Sequence, residues 1–403
     1  MKGYDIIIIG GGAAGFFAAI NAAEFKPGAS ILILERGKEV LTKVRISGGG
    51  RCNVTHAEFL PAELIKNYPR GEKELRGPFH TFMTGDTIAW FEERGIELKI
   101  EEDGRMFPVS DSSETIIDCF LSEVRRHGIR VKTNQPVQDI QKSGDNWVIS
   151  MGKESYFSEK ILIATGSNPK IWKMLEKLGH TITAAVPSLF TFNIRDERIK
   201  DLPGISTFAD VKVEGEKLES SGPLLITHWG MSGPAILKLS AWGARELHNL
   251  NYSFKIIVNW LPAYSSEAIL EKLKDLKFEH AKQQISKYSQ FELPKRLWQN
   301  LVRAAGINET EIWADLNKNQ LQSLSFQLCD SRFQVNGKST FKEEFVTAGG
   351  VNLEEVNFKT FESKLQKDLY FAGEVLNIDA ITGGFNFQNA WTGAFLAAKA
   401  MTE

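Results

Sequence analysis

The 403-residue sequence predicts an α/β protein: a three-layer domain around a parallel sheet, formed by both ends of the chain, with a β-barrel and helical bundle inserted. Three observations predict it. The first 37 residues read as strand, glycine turn, helix and strand in immediate succession. A second strand–glycine–helix unit runs from Leu369 to Met401. Between the two, the pattern turns from alternating to helical and back.

Ile6–Ile9 is a continuous apolar run of the kind buried on both faces of a parallel sheet. Gly10, Gly12 and Gly15 follow in the spacing G-x-G-x-x-G. Gly10 suits a tight turn, Gly12 a close approach of pyrophosphate, and Gly15 tight packing of helix on strand. Ala13 and Ala14 open a helix whose first N–H groups and dipole favour phosphate. The helical pattern continues through Ala18, Ala19, Ala22 and Ala23 and stops at Pro27–Gly28. The strand Ile31–Leu34 then ends on Glu35, placed for a ribose diol, with Arg36 beside it. These pieces together are a Rossmann-type dinucleotide-binding unit.

Lys43–His56 reads as a long glycine-rich loop. Its backbone donors, with Lys43, Ser47, Gly49, Gly50 and Arg51, are expected beside the cofactor, where Lys43 and Arg51 offset negative charge. Cys52 lies in the same loop with no resolving cysteine nearby in sequence, and is expected to be a small packed residue. A helix follows near Asp86–Arg94, then a strand–turn–strand with Asp103–Gly104 in the turn. Ser112–Gly128 is a helix with a serine start, late arginines and a glycine stop. A strand ends near Val137, also expected at the cofactor. A hairpin turns at Ser143–Gly144–Asp145, and the strand Ile161–Ala164 delivers Thr165 and Gly166 to the same sheet edge.

From about Phe190 alternating segments predict a small barrel or sandwich, and leucines at three- and four-residue spacing predict helices between Ser265 and Leu328. Asn336–Gly337 carries a hairpin signal. The expected division is 1–190 with 345–403 for the dinucleotide domain, 191–264 with 329–344 for the barrel, and 265–328 for the helices.

The final unit points to FAD. After the strand Leu369–Ala372 come Gly373–Glu374, then Asp379, then Gly383–Gly384 opening a helix near Phe385–Asn386. NAD does not need this second set. FAD does, because its ribityl chain and pyrimidine end extend beyond the pyrophosphate. Glu374 or Asp379 would meet ribityl hydroxyls, and the amides at Gly384, Phe385 and Asn386 would face the flavin N1/O2 edge. One G-x-G-x-x-G occurs, so a separate NAD(P)H domain is not expected; NAD(P)H or O2 would visit the flavin transiently.

The strings KVRISGGGRCN, ATG, THWGMSGP, VTAGGV and FAGEVLNIDAITGGFNFQNAWTGAF resemble the bacterial BaiN (YhiN) family, also labelled aminoacetone-oxidase-like FAD-binding enzymes. The resemblance spans nearly the whole chain. It implies an FAD protein with a two-part insert, and one of two activities: amine oxidation by O2, or reduction of a carbon–carbon double bond in oxidised bile acids.

His228, in THWGMSGP, is the candidate acid or base, at a strand end before a helix started by Ser232, Gly233 and Pro234. G-M-S-G is one residue short of a nucleophile elbow, which removes the serine-hydrolase reading. Histidines and the three scattered cysteines have no metal-ligand spacing, and the cysteines suit a reducing cytoplasm. A net charge of −2 gives no electrostatic case for a nucleic-acid partner, and no apolar run is long enough for a membrane span, so a small-molecule substrate is expected, with neither nucleic acid nor membrane as partner. The expectation is a cytoplasmic FAD-dependent oxidoreductase moving hydride at flavin N5 on a small organic substrate, by amine oxidation or enone reduction. The alternatives are a flavin-dependent RNA-modifying enzyme and a flavin-binding sensor without turnover.

Overall fold

The computed structural model describes residues 2–152, 154–339 and 346–403. They form two compact units, one from residues up to 186 together with 346–403, the other from 187–339. The expected boundary at 344–345 lies outside the described residues.

Five parallel strands make the heart of the first unit, in the order Leu369–Phe371, Glu154–Ile163, Lys2–Ile9, Ile31–Leu34, Arg130–Lys132. Two short antiparallel strands, Glu362–Ser363 and Val356–Asn357, extend one edge. The hairpin Asp139–Ser143/Asn146–Met151 pairs with the first half of Glu154–Ile163. Side chains of Ile6–Ile9 and Ile31–Leu34 are at most 3% exposed, as strands covered on both faces require. The helices Ala13–Phe25 and Phe385–Thr402 share the core of this sheet. Both are alanine-rich and nearly all-round buried, which lets their backbones come close. Ser113–Arg126 is capped by the Ser112 hydroxyl accepting from the Glu114 N–H at 3.3 Å.

The second unit is an all-antiparallel sheet of seven strands, from Ser331–Asn336 at one edge to Lys338–Ser339 at the other. Only Gly337 separates these two edges in the chain, so the sheet curls into a barrel. This corrects the hairpin expected at Asn336–Gly337: Lys338–Ser339 pairs with Thr191–Asn193 rather than folding back. The continuation from Thr340 lies outside the described residues. Helices Ser266–Glu279, Lys295–Ala304 and Lys318–Cys329 occupy the stretch expected to be helical. Barrel and helices share one core, in which Trp260, Trp298 and Trp313 are each at most 1% exposed.

Two further local corrections matter for the site. Thr42–Ile46, read as loop, is helical, and the chain leaves that helix at Ser47 (ψ 148°). Strand Gly230–Ser232 lies between His228 and the following helix. That helix starts at Pro234 with Gly233, not Ser232, as its cap.

Candidate functional site

The carboxyl ends of the parallel strands bring together Gly10–Gly15, Glu35, Ala164–Gly166 and Gly373–Glu374, the edge where open α/β sheets bind ligands. A Cβ on Gly15 would lie 2.0 Å from the Gly10 carbonyl oxygen, so helix and turn interlock only without a side chain. Gly12 is different. A Cβ there would meet no protein atom within 4 Å, which leaves an open cradle in front of the helix. Hydrogen bonding within the helix begins with the Phe16 N–H on the Gly12 carbonyl, so the N–H groups of Ala13, Ala14 and Gly15 are left to face that space. Such a cradle of open backbone N–H groups suits a phosphate.

Glu35 is fixed by two amides: Gly11 N–H donates to Oε2 at 2.9 Å and Gly37 N–H to Oε1 at 2.7 Å. Each oxygen keeps a lone pair for a ribose hydroxyl. Arg36 is exposed next to it. Gln135 N–H donates to the Glu35 carbonyl at 2.8 Å, and so carries the half-buried Val137 segment to the ribose end. Ala164 is tied by its N–H to the Ile9 carbonyl at 2.8 Å, and Thr165 and Gly166 are half-buried beyond it.

Lys43 donates to Glu374 Oε2, so its charge is matched by that carboxylate. Arg51 is likewise satisfied: it donates to Glu101, lies 3.5 Å from Asp111, and stacks 3.9 Å over the Phe107 ring. Through these contacts Arg51 also braces the Leu98–Pro108 hairpin. Cβ atoms on Gly49 and Gly50 would meet nothing, leaving that backbone accessible, while the Ser47 hydroxyl donates to the Val44 carbonyl at 2.9 Å. Cys52 has no exposed surface and a positive φ of 61°, and burial pushes its thiol up to about 12. A thiol so held is not a thiolate nucleophile.

The end expected to face the flavin is built on the helix Phe385–Thr402. Gly384 caps it at φ 94°, and a Cβ there would strike the Thr55 carbonyl oxygen at 2.5 Å. Intrahelical bonding starts with Gln388 N–H on Gly384, leaving the N–H groups of Phe385, Asn386 and Phe387 open. Asp379 is fully buried and is not an open ribityl ligand. Arg70 grips it bidentately, Nε donating to Oδ1 at 2.5 Å and Nη2 to Oδ2. The Asn386 side chain clamps the backbone of Ala380 at 3.0 and 3.2 Å, and its backbone N–H stays open at the helix entrance.

Sequence reasoning missed the residues that hold this end. His56 Nδ1 lies 3.0 Å from the Gly383 carbonyl, and a carbonyl partner requires that nitrogen to carry the proton. The ring stacks on Phe385 with centroids 4.5 Å apart. The Tyr68 hydroxyl donates to the Phe385 carbonyl at 2.6 Å, and burial raises its pKa well above the usual phenol range. Gln388 Oε1 accepts from Thr55 at 2.6 Å and Thr87 at 3.0 Å. His56 and Thr55 end the glycine-rich run, and their position there was the available signal; Arg70, 309 residues from its partner, offered none. Gly350 of the buried strand Thr347–Val351 lies against the Val375 carbonyl, just after Glu374.

His228 is in the second unit. It and Trp229 form the exposed tip between strands Glu219–Thr227 and Gly230–Ser232, with Trp229 61% exposed.

Glycine cradle, acid and two open helix N-termini fit a cofactor with a diphosphate in its middle and a hydrogen-bonding ring at its end, as FAD has. A model of the HI0933-like protein Rossmann domain matches residues 4–400. A ribosomal RNA dihydrouridine synthase of Escherichia coli K12 is 29% identical over 99% of this chain and 98% of its own length. A 3-dehydro-bile acid delta(4,6)-reductase of Clostridium scindens is 27% identical over 98% of each. Among solved structures, a 3-ketosteroid-delta4-(5alpha)-dehydrogenase of Rhodococcus jostii RHA1 matches with a TM-score of 0.52 at 12% identity, over 100% of this chain and 97% of that one. A flavocytochrome c3 fumarate reductase matches at 0.51 and 15%, over 100% and 78%. No described helix is long and apolar enough to cross a membrane.

Proposed function

The chain belongs to the HI0933-like Rossmann family and is an FAD-dependent oxidoreductase, and from that premise we propose that it saturates a carbon–carbon double bond conjugated to a carbonyl, the uracil ring of ribosomal RNA being its substrate. One observation carries this reading. Relatives matched end to end, a dihydrouridine synthase and a delta(4,6)-reductase, differ greatly in substrate, yet both names describe adding hydrogen across such a bond. The Escherichia coli relative is named for ribosomal RNA, as is a second one, of Haemophilus influenzae, 29% identical over 98% of each chain, which favours uracil over a free steroid-like enone.

FAD, once bound and reduced by an external hydride donor such as NAD(P)H, would supply a hydride from N5. The chain's own contribution is position and field. The open amides of Ala13, Ala14 and Gly15 hold the diphosphate, and Glu35 takes the ribose hydroxyls. The N–H groups of Phe385 and Asn386 stabilise negative charge at the pyrimidine edge, on a helix end that His56 and Tyr68 keep in place. His228, exposed at its hairpin tip in the second unit, is proposed as an acid or base for the reaction.

The test is anaerobic. NADH, NADPH and a primary amine are offered in turn to bleach the flavin; unmodified ribosomal RNA or a 4,6-dien-3-one steroid is then added without air. Return of flavin colour, with two hydrogens gained by a uridine, supports the reading. Bleaching by the amine and recovery only in air would overturn it in favour of an oxidase.

A further inference from the structure

Between the helices Ser266–Glu279 and Lys295–Ala304, the segment from His280 to Gln290 contains Lys282, Lys287 and three glutamines but no Asp or Glu. It lines a depression of about 740 Å³ together with Tyr288. The segment is not a loose loop. The Trp313 N–H donates to the Gln283 carbonyl at 3.0 Å, the Ile285 N–H to the Glu311 carbonyl at 3.1 Å, and the buried Trp298 indole to the Ile285 carbonyl at 2.8 Å. With Ile285 fully buried beneath it, the segment is a rigid platform.

Glu279 and Glu292 flank the segment in sequence, outside it, and the two acids of the neighbouring 308–311 turn are engaged elsewhere. Glu309 pairs with Arg303, and Glu311 accepts from the Asn308 N–H at 3.0 Å and from Gln320 at 2.9 Å. Lys282 and Lys287 form no salt bridge among the described residues. Tyr288 is 54% exposed with the Lys287 ammonium 5.7 Å from its ring centre, and the Phe278 ring is 89% exposed one turn before the segment. Unpaired cations beside an exposed ring, with amide side chains between, are what a single-stranded nucleic acid recognises. Phosphates take the lysines, a base stacks on the ring, and amides meet base edges or 2′-hydroxyls.

We propose that this face of the inserted unit binds single-stranded RNA, with Lys282 and Lys287 on phosphates and Tyr288 under a base. The proposal rests on the reading of ribosomal RNA as substrate, and supplies the grip that a polymeric substrate needs apart from the reacting ring. A net charge of −2 does not oppose it, because screening leaves only charges within about 8–10 Å to act on a bound phosphate.

The experiment uses the FAD-loaded full chain and a fluorescein-labelled single-stranded oligouridylate, with binding followed by anisotropy. The double variant K282E/K287E is expected to lose at least about tenfold in affinity and to lower the salt slope by about 1.4, two phosphate contacts' worth. Tyr288→Ala should lose about fivefold or more. Lys274→Glu, whose lysine already pairs with Glu271 on the neighbouring helix, is the charge control and should bind as wild type does. Unchanged circular dichroism and flavin absorbance establish that each variant is folded. Equal binding by wild type and the double variant overturns the proposal, as does an equal loss in Lys274→Glu. Reduction of a small enone, retained in the double variant, separates the two claims. Enone turnover without oligouridylate binding sinks this face and leaves the reductase reading standing; oligouridylate binding through this face without any double-bond reduction does the reverse.

Discussion

Asp379 sits in a site with no exposed surface, where Arg70 presents two forked donors to it. Asp379→Asn leaves a guanidinium only 13% exposed facing an uncharged amide, and should cost about 3–5 kcal/mol. A thermal melt with parallel measurement of retained flavin checks this, and Arg70→Lys opposite the intact Asp379 should also destabilise, since one ammonium cannot reproduce the fork. Gly12 gives the opposite kind of outcome. A side chain there meets no protein atom and the backbone φ is an ordinary −95°, so Gly12→Val should fold and melt as flavin-stripped wild type does, and purify without flavin. A yellow Gly12→Val would show that the cradle is not where the diphosphate lies. At Cys52 the thiol's ordinary value is 9.0, and burial raises it to about 12 in the folded chain. The folded state therefore holds a proton that the unfolded state releases between these values. Stability from this group is complete below pH 9 and falls by about 1.4 kcal/mol per unit as pH rises toward 12. Denaturant midpoints across that range, compared with Cys52→Ala, measure it.

The last helix, Phe385–Thr402, is an example of an element whose position depends on buried polar contacts rather than on its apolar face. Gln388 accepts from Thr55 and Thr87 while donating to Thr392 at 3.2 Å. Replacing Gln388 with Leu removes the acceptor from two buried hydroxyls and should destabilise the chain by about 2–5 kcal/mol, read as a shift in denaturant midpoint at constant m-value. Its glycine entrance was legible in the sequence because Gly384 is demanded by local geometry, a positive φ against the Thr55 backbone. Its partners were not, because nothing in the local pattern around residues 55 and 87 distinguishes a hydroxyl that reaches 300 residues along the chain from one that faces water. The same reasoning explains Gly337. Asn-Gly encodes a turn, but which strand pairs with the outgoing chain is decided by a barrel edge, Thr191–Asn193, distant in sequence. Thr42–Ile46 escaped notice because two basic residues and a glycine run masked one short helical turn.

At the scale of the molecule, two separate hydrophobic cores divide the chain, one under the parallel sheet and one shared by barrel and helices. Calorimetry should accordingly resolve two transitions, and stripping the flavin should lower only the one belonging to the first unit. A single transition that shifts as a whole would show the cores to be coupled. The parallel architecture was readable from strand, glycine and helix in succession at both chain ends; the single core beneath barrel and helices was not, since the apolar residues that join them repeat locally at helix or strand period and carry no label of destination. The interleaving of the first unit also has a consequence for synthesis. The strand Glu154–Ile163 is flanked by Lys2–Ile9 on one side and by Leu369–Phe371 on the other. At about 5–20 residues per second, a ribosome leaves that second edge bare for roughly 10–40 s, while the contiguous inserted unit is already complete. During that interval the nascent sheet offers an unpaired parallel edge to any neighbour, so its closure is a race between translation and aggregation that a rare-codon stretch before Leu369 would lengthen.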